Sequence, residues 1–120
     1  MKINKEISVL LASNRIKPFW IREYKSHLDL LYRTEVIDVD KILGHLQRNN
    51  YNVVIVDESS IIVDYSLIRK IEMLQPAIRV IIVTLTQDWH RARLAFQHGA
   101  TDYIDISSND DLLLMSIQEK

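Results

Sequence analysis

Residues 53–59 read Val53-Val54-Ile55-Val56-Asp57-Glu58-Ser59. Four consecutive β-branched side chains suit a pleated strand, and a short run that is apolar at every position predicts a central strand buried on both faces. Such a strand delivers Asp57 to its carboxyl end. A second run of the same kind, Val80-Ile81-Ile82-Val83, ends at Thr84. Strands that are apolar on both faces need helices above and below them, which points to parallel βαβ construction.

The rest of the chain alternates accordingly. The first apolar run, Ile7 to Ala12, is followed by polar Ser13-Asn14-Arg15 and then by Pro18, a residue well placed near a helix start. Phe19, Ile21, Tyr24, Leu28 and Leu31 recur near helical spacing and predict a helix over about 18–29, with a short second strand over about 30–34. Asp38 or Asp40 can begin the next helix, whose apolar stripe is Val39, Ile42, Leu43 and Leu46; Asn49-Asn50 ends it. A third helix over about 65–74 turns Leu67, Ile68, Ile71 and Leu74 inward and stops near Pro76. Asp88 caps a fourth helix that runs through His98 and is terminated by Gly99, with Leu94 and Phe96 available for packing. A weaker strand over 103–106 follows. Ser108-Asn109-Asp110-Asp111 resembles a capping box that opens a last helix carrying Leu112, Leu113 and Ile117. Five strands thus alternate with five helices, an α/β fold. Right-handed crossovers make it a doubly wound parallel sheet, in the flavodoxin-like order 2-1-3-4-5.

Composition narrows the function. A chain of 120 residues suits one compact domain, and 48% apolar with 26% charged residues argues against disorder. No apolar run approaches the ~20 residues that span a bilayer, and the opening lacks a signal-peptide pattern, so a cytoplasmic protein is expected, with no membrane partner. The absence of cysteine excludes disulfides, thiolate metal sites and a cysteine nucleophile. A net charge of −1 supplies no excess positive charge for nucleic acid, so any contact with DNA belongs to another domain. Two glycines leave no glycine-rich phosphate loop, and the histidines, His27, His45, His90 and His98, show no metal-ligand spacing. No cofactor, no metal site and no enzymatic activity are expected.

A lone carboxylate after a β-branched strand also fits a strand-end aspartate satisfied by loop amides. The surrounding motifs add to it. VVIVDES around Asp57, VIIVTLTQD around Thr84 and GATDYI over 99–104 together resemble the receiver domain of two-component response regulators, and the resemblance covers essentially the whole chain. The VLLA segment before Ser13 and the serine-initiated last helix resemble receivers that precede a helix-turn-helix output domain. The resemblance implies a single receiver-like domain over 1–120 that forms the amino-terminal part of a longer regulator.

Carried over residue by residue, the resemblance places Asp57 at the phosphoacceptor position. It places Thr84 at that of the hydroxyl that hydrogen-bonds the phosphoryl group, and Tyr103 at that of the switch aromatic. Other pocket positions depart from the family. Ser13 and Asn14 stand where two carboxylates normally hold Mg²⁺, and Ile106 stands where a lysine normally pairs with the phosphoryl charge. Ser60, Ile61 and Tyr65 occupy the places of the usual Met-Pro and glycine. Magnesium relies on carboxylate ligands and phosphoryl transfer on charge neutralisation, so Mg²⁺ binding is expected to be weak or absent and ordinary phosphorylation of Asp57 is not expected.

The expected function is therefore that of a pseudo-receiver: a signal-transduction domain acting through protein contacts, with a protein partner or a transcriptional output domain. The alternatives are an atypical phosphoacceptor using Asp57 and a small-molecule sensor. Trp89, Arg91 and Arg93 on the fourth helix are candidate interface residues, since tryptophan and arginine anchor interfaces; the arginines equally suit a solvated face. The resemblance implies a homodimer through the fourth helix, fifth strand and last helix. Ile61-Ile62-Val63 either closes the pocket or offers a partner surface, or else tucks into the domain.

Overall fold

The computed structural model describes residues 5–14, 19–62, 64–107 and 111–118; the side chains of Phe19, Trp20 and Asp111 are outside that description. Strand β1 (Ser8–Ser13) leads into helix α1 (Phe19–Asp29), β2 (Arg33–Asp38), α2 (Ile42–Leu46), β3 (Val53–Asp57), α3 (Ser66–Leu74), β4 (Arg79–Thr84), α4 (Trp89–Gln97), β5 (Asp102–Asp105) and α5 (Asp111–Gln118). Short 3₁₀ turns cover Val39–Lys41 and Glu58–Ser60. The five strands are parallel, in the order β2-β1-β3-β4-β5, as the alternation of apolar runs predicts.

Every residue of β3 is buried, and the period of two divides the strand side chains between two cores. Val9, Leu11, Val53, Ile55, Ile81 and Val83 face one layer with Ile21, Tyr24 and Leu28 of α1 and Leu113 and Ile117 of α5. Leu10, Val54, Val56, Val80 and Ile82 face the other, with Ile42 and Leu46 of α2, Ile68 and Ile71 of α3, and Ala95 of α4.

Several boundaries differ from the sequence reading. The second strand lies at Arg33–Asp38 and not at 30–34. Tyr32 closes the end of α1 through a bond from its amide to the Leu28 carbonyl and is 2% exposed, so residues 30–32 turn and do not pair; Leu30 points outward. As an edge strand, β2 carries alternating Arg33, Thr34 and Glu35 and lacks the continuous apolar run that marks β3 and β4. The second helix is preceded by a 3₁₀ turn and ends at Leu46. Leu74 of α3 and Leu94 and Phe96 of α4 are exposed, and α4 packs through Ala92 and Ala95. β5 begins one residue early and leaves Ile106 just beyond it. Pro18 as a helix start and residues 108–110 of the expected capping box lie outside the described residues, and so does Val63.

Gly99 ends α4 with φ 108°, its amide donating to the Phe96 carbonyl at 3.1 Å. A Cβ there would stand 2.8 Å from Glu72 Oε2. Gly99→Ala is expected to destabilise the domain by about 1 kcal/mol or more, read as a lower urea midpoint at an unchanged slope.

Candidate functional site

Asp57 is the last residue of β3, opposite Val83 of β4, and is 7% exposed. Its carboxylate accepts three hydrogen bonds. Ser59 donates from its amide to Oδ1 at 3.3 Å and from its hydroxyl to Oδ2 at 2.8 Å, the local turn by which an aspartate starts a 3₁₀ segment. Ser13 donates its hydroxyl to Oδ2 at 3.2 Å. Sheet register brings it there: Ala12 of β1 pairs with Val56, so the residues that follow lie side by side at the carboxyl edge. Both oxygens are engaged, and among the described residues no cation is paired with them.

Thr84, buried at the end of β4, turns its hydroxyl onto its own loop. Its Oγ1 donates to the Thr86 carbonyl and accepts from the Thr86 amide, both at 3.1 Å. Asn14 lies exposed just past β1. Ile106 is buried among Ile104, Leu113 and Ile117, continuing the period of two onto the α1–α5 face. Ile61 is buried in the opposite core, whereas Ile62 is half exposed beside Asp57.

A second polar cluster escaped the sequence reading, which took Arg91 as an interface residue or as part of a solvated face. Glu58 is 3% exposed. Following Val54 and Val56 in period two, it enters the α2–α4 side. There its carboxylate accepts from the Tyr65 hydroxyl at 3.0 Å and from Arg91 Nε at 3.0 Å. Arg91 also donates from one terminal nitrogen to the Thr86 carbonyl at 2.6 Å, and its other lies 3.5 Å from Asp88, which caps α4 by accepting from the Arg91 amide. Arg91 therefore turns inward, while Trp89 and Arg93 remain exposed. The Tyr103 hydroxyl is buried beside Glu58 and Arg91, with neither at full hydrogen-bonding geometry. Its one sequence signal was an acidic residue directly after a buried strand, at a position whose parity demands burial.

The carboxyl ends of β3 and β4 thus enclose an open cleft of about 240 Å³, walled by Asp57, Ser59, Thr84, Thr86, Ile62 and Leu85, with Glu58 and Arg91 at its side. In a parallel α/β sheet this edge is where ligands and reactive groups gather.

No protein-family model and no curated protein matches the sequence. Solved structures do match. A two-component response regulator from Clostridium difficile superposes with a TM-score of 0.80 at 15% identity, covering 93% of each chain. The receiver domain of a sensor histidine kinase from Pseudomonas aeruginosa, with a magnesium ion coordinated in its active site cleft, gives 0.76 at 20% identity over 93% of this chain and 94% of that one. A Burkholderia pseudomallei response regulator with a phosphorylated aspartic acid also gives 0.76 at 20% identity, over 92% of this chain but 66% of that one. The fold is that of a receiver domain. No helix among the described residues is long and apolar enough to cross a membrane.

A divalent ion of the kind held in receiver clefts does not fit the residues present in this one. Asp57 and Glu58 are the carboxylates that line it, and Glu58 is taken by Tyr65 and Arg91. Ser13 offers a hydroxyl already donated to Asp57, and the described residues contain no group of three or more His, Asp or Glu placed to hold a metal.

Burial first, and then the Glu58 carboxylate, push the Tyr103 phenol up to about 12 from 10.0. The fold favours its neutral form. That contribution is complete below about pH 10 and is lost as pH rises through about 12. Phenolate absorbance of Tyr103 is expected to develop well above that of a free tyrosine, with urea stability falling over the same interval.

Proposed function

We propose that this domain is a regulatory receiver that works through protein contacts without the usual Mg²⁺-dependent phosphorylation: a pseudo-receiver. One observation carries the reading. Asp57, which the resemblance puts at the phosphoacceptor position, accepts three hydrogen bonds from Ser13 and Ser59 of its own chain, and the other carboxylate lining the cleft, Glu58, is engaged by Tyr65 and Arg91.

Phosphoryl transfer to a carboxylate requires a free oxygen, a metal on the phosphoryl group and a cation for the developing charge. Each is compromised in this cleft. Both Asp57 oxygens accept hydrogen bonds, Ser13 replaces a metal-binding carboxylate, and Ile106 is part of the core. Arg91, a cation beside the cleft, gives its Nε to Glu58 and one terminal nitrogen to the Thr86 carbonyl. Thr84 spends its hydroxyl on Thr86.

The protein-contact half of the proposal draws on the surface. Trp89 is 80% exposed, and Phe96, Leu112 and Met115 are exposed on α4 and α5. Such apolar side chains on the surface suit a partner, an output domain or a second copy of the chain. Control of a transcriptional output domain and a cytoplasmic location complete the proposal. The atypical-phosphoacceptor reading rests on the open cleft that Asp57 still borders.

Two experiments separate these readings. Beryllofluoride or acetyl phosphate with Mg²⁺ is expected to leave the NMR spectrum of the domain unchanged; shifts at Asp57 and Thr84 that vanish in Asp57→Asn establish a phosphoacceptor instead. Ser13→Asp places a second carboxylate against Asp57, so the variant is expected to be less stable than the parent at neutral pH and to be restabilised by millimolar Mg²⁺, in a thermal melt where the parent shows no such response.

A further inference from the structure

Asp57 carries a charge without a counter-charge. It is 7% exposed, its three hydrogen bonds come from neutral donors, and among the described residues no lysine, arginine or histidine stands within ion-pair distance of it. The other two charged residues that line the cleft offset each other, since Arg91 lies 3.0 Å from Glu58. A second acid, Asp88, lies 3.5 Å from the same guanidinium. The cleft is therefore left with uncompensated negative charge, centred on Asp57.

The hydroxyls around that charge are already oriented. Ser59 Oγ gives its proton to Asp57 Oδ2 at 2.8 Å, and Thr84 Oγ1 gives its own to the Thr86 carbonyl at 3.1 Å. What each has left to offer a ligand is an oxygen lone pair. Asp57 accepts two bonds at Oδ2 and a single long one, 3.3 Å, at Oδ1, where a carboxylate can accept about four in all. An anion would meet acceptors at Asp57, Ser59 and Thr84. A positively charged group that only donates meets its complement there, and an ammonium, with three donors and no acceptor, is such a group.

The remaining walls include apolar side chains that stand partly in water: Ile62 is 50% exposed and Leu85 47%. The cleft volume of about 240 Å³ lies below the roughly 300–1,000 Å³ that holds drug-sized ligands. An occupant is thus small, with a charged head and a short apolar body.

We propose that the Asp57 cleft is a binding site for a small primary amine in its ammonium form. Asp57 and the Ser59 and Thr84 oxygens take the ammonium, and a short hydrocarbon body lies against Ile62 and Leu85. The carboxylate is already desolvated by the fold, so a charge-assisted bond to it is stronger than the same bond in water. The proposal takes the metal-free cleft from the pseudo-receiver reading and nothing from its protein contacts.

The test is an NMR titration of the isotopically labelled domain with isopentylammonium chloride. Isopentyl alcohol supplies the same body without charge, and isocaproate a similar body with the opposite charge. The ammonium is expected to give saturable amide shifts over 57–62 and 84–86, which weaken as sodium chloride is added, while the alcohol and the carboxylate at equal concentration leave those amides in place. Asp57→Asn, which removes the charge and keeps the shape, is expected to weaken binding by about tenfold or more, as loss of a charge-assisted hydrogen bond implies. Leu85→Ser alters an exposed position and is expected to weaken it by about threefold, so it serves if Asp57→Asn does not fold. The proposal is overturned if the alcohol or the carboxylate shifts the same amides to the same extent, or if either variant titrates like the parent. A null amine titration alongside a null beryllofluoride response removes the amine site and leaves the pseudo-receiver reading standing, whereas a beryllofluoride response alongside saturable amine binding does the reverse.

Discussion

Everything at this edge of the sheet follows from one constraint: a strand buried along its whole length ends in a carboxylate. β3 is paired with β1 and β4, which fixes the backbone that carries Asp57 at the buried end of the strand. A buried carboxylate must find a cation, hydrogen-bond donors or a proton. This chain supplies donors. With a carboxylate at position 13 the edge would hold two like charges and would need a metal; with serine the same position becomes a donor to Asp57. A donor at position 13 and an apolar side chain at position 106 are thus mutually consistent, and Ile106 adds its side chain to the α1–α5 core.

The next residue meets the same constraint on the other side. Period two sends Glu58 to the α2–α4 face, where a second buried carboxylate needs its own compensation. It receives a cation from the first turn of α4. Arg91 reaches Glu58 because Asp88 caps the helix through the Arg91 amide, setting where that first turn begins. The two adjacent acids are thereby divided: Asp57 is held by hydroxyls and an amide toward the cleft, Glu58 by a guanidinium and a phenol inside.

What was legible in the sequence reflects the range of the interactions. VVIV and VIIV identified β3 and β4 because burial on both faces leaves its mark on every residue. Gly99 marked the end of α4 because positive φ is a local demand that glycine meets. β2 was misplaced because this edge strand lacks a continuous apolar run, and because buried Tyr32 extended an apolar appearance into a turn. Asp57 and Thr84 could be placed at strand ends, but the direction of the Thr84 hydroxyl depends on Thr86 and could not be. The Glu58–Arg91 pair joins residues 33 positions apart and carries no periodicity, so only the folded chain reveals it.

The character of α4 follows from how little apolar surface ties it down. Its buried side chains are Ala92 and Ala95, each a single methyl, worth far less on burial than the isoleucines through which α3 packs. Trp89 stands outside, and Leu94 and Phe96 are only half-buried. Polar contacts at the ends must then fix the helix: Arg91 to Glu58 at its start, and Arg69 donating to the Gln97 carbonyl, with Gly99 turning the chain, at its finish. β3, by contrast, is packed by side chains on both faces. The domain thus pairs a sheet centre that presents Asp57 with a helix held largely by polar contacts at its two ends, and that helix carries the exposed tryptophan.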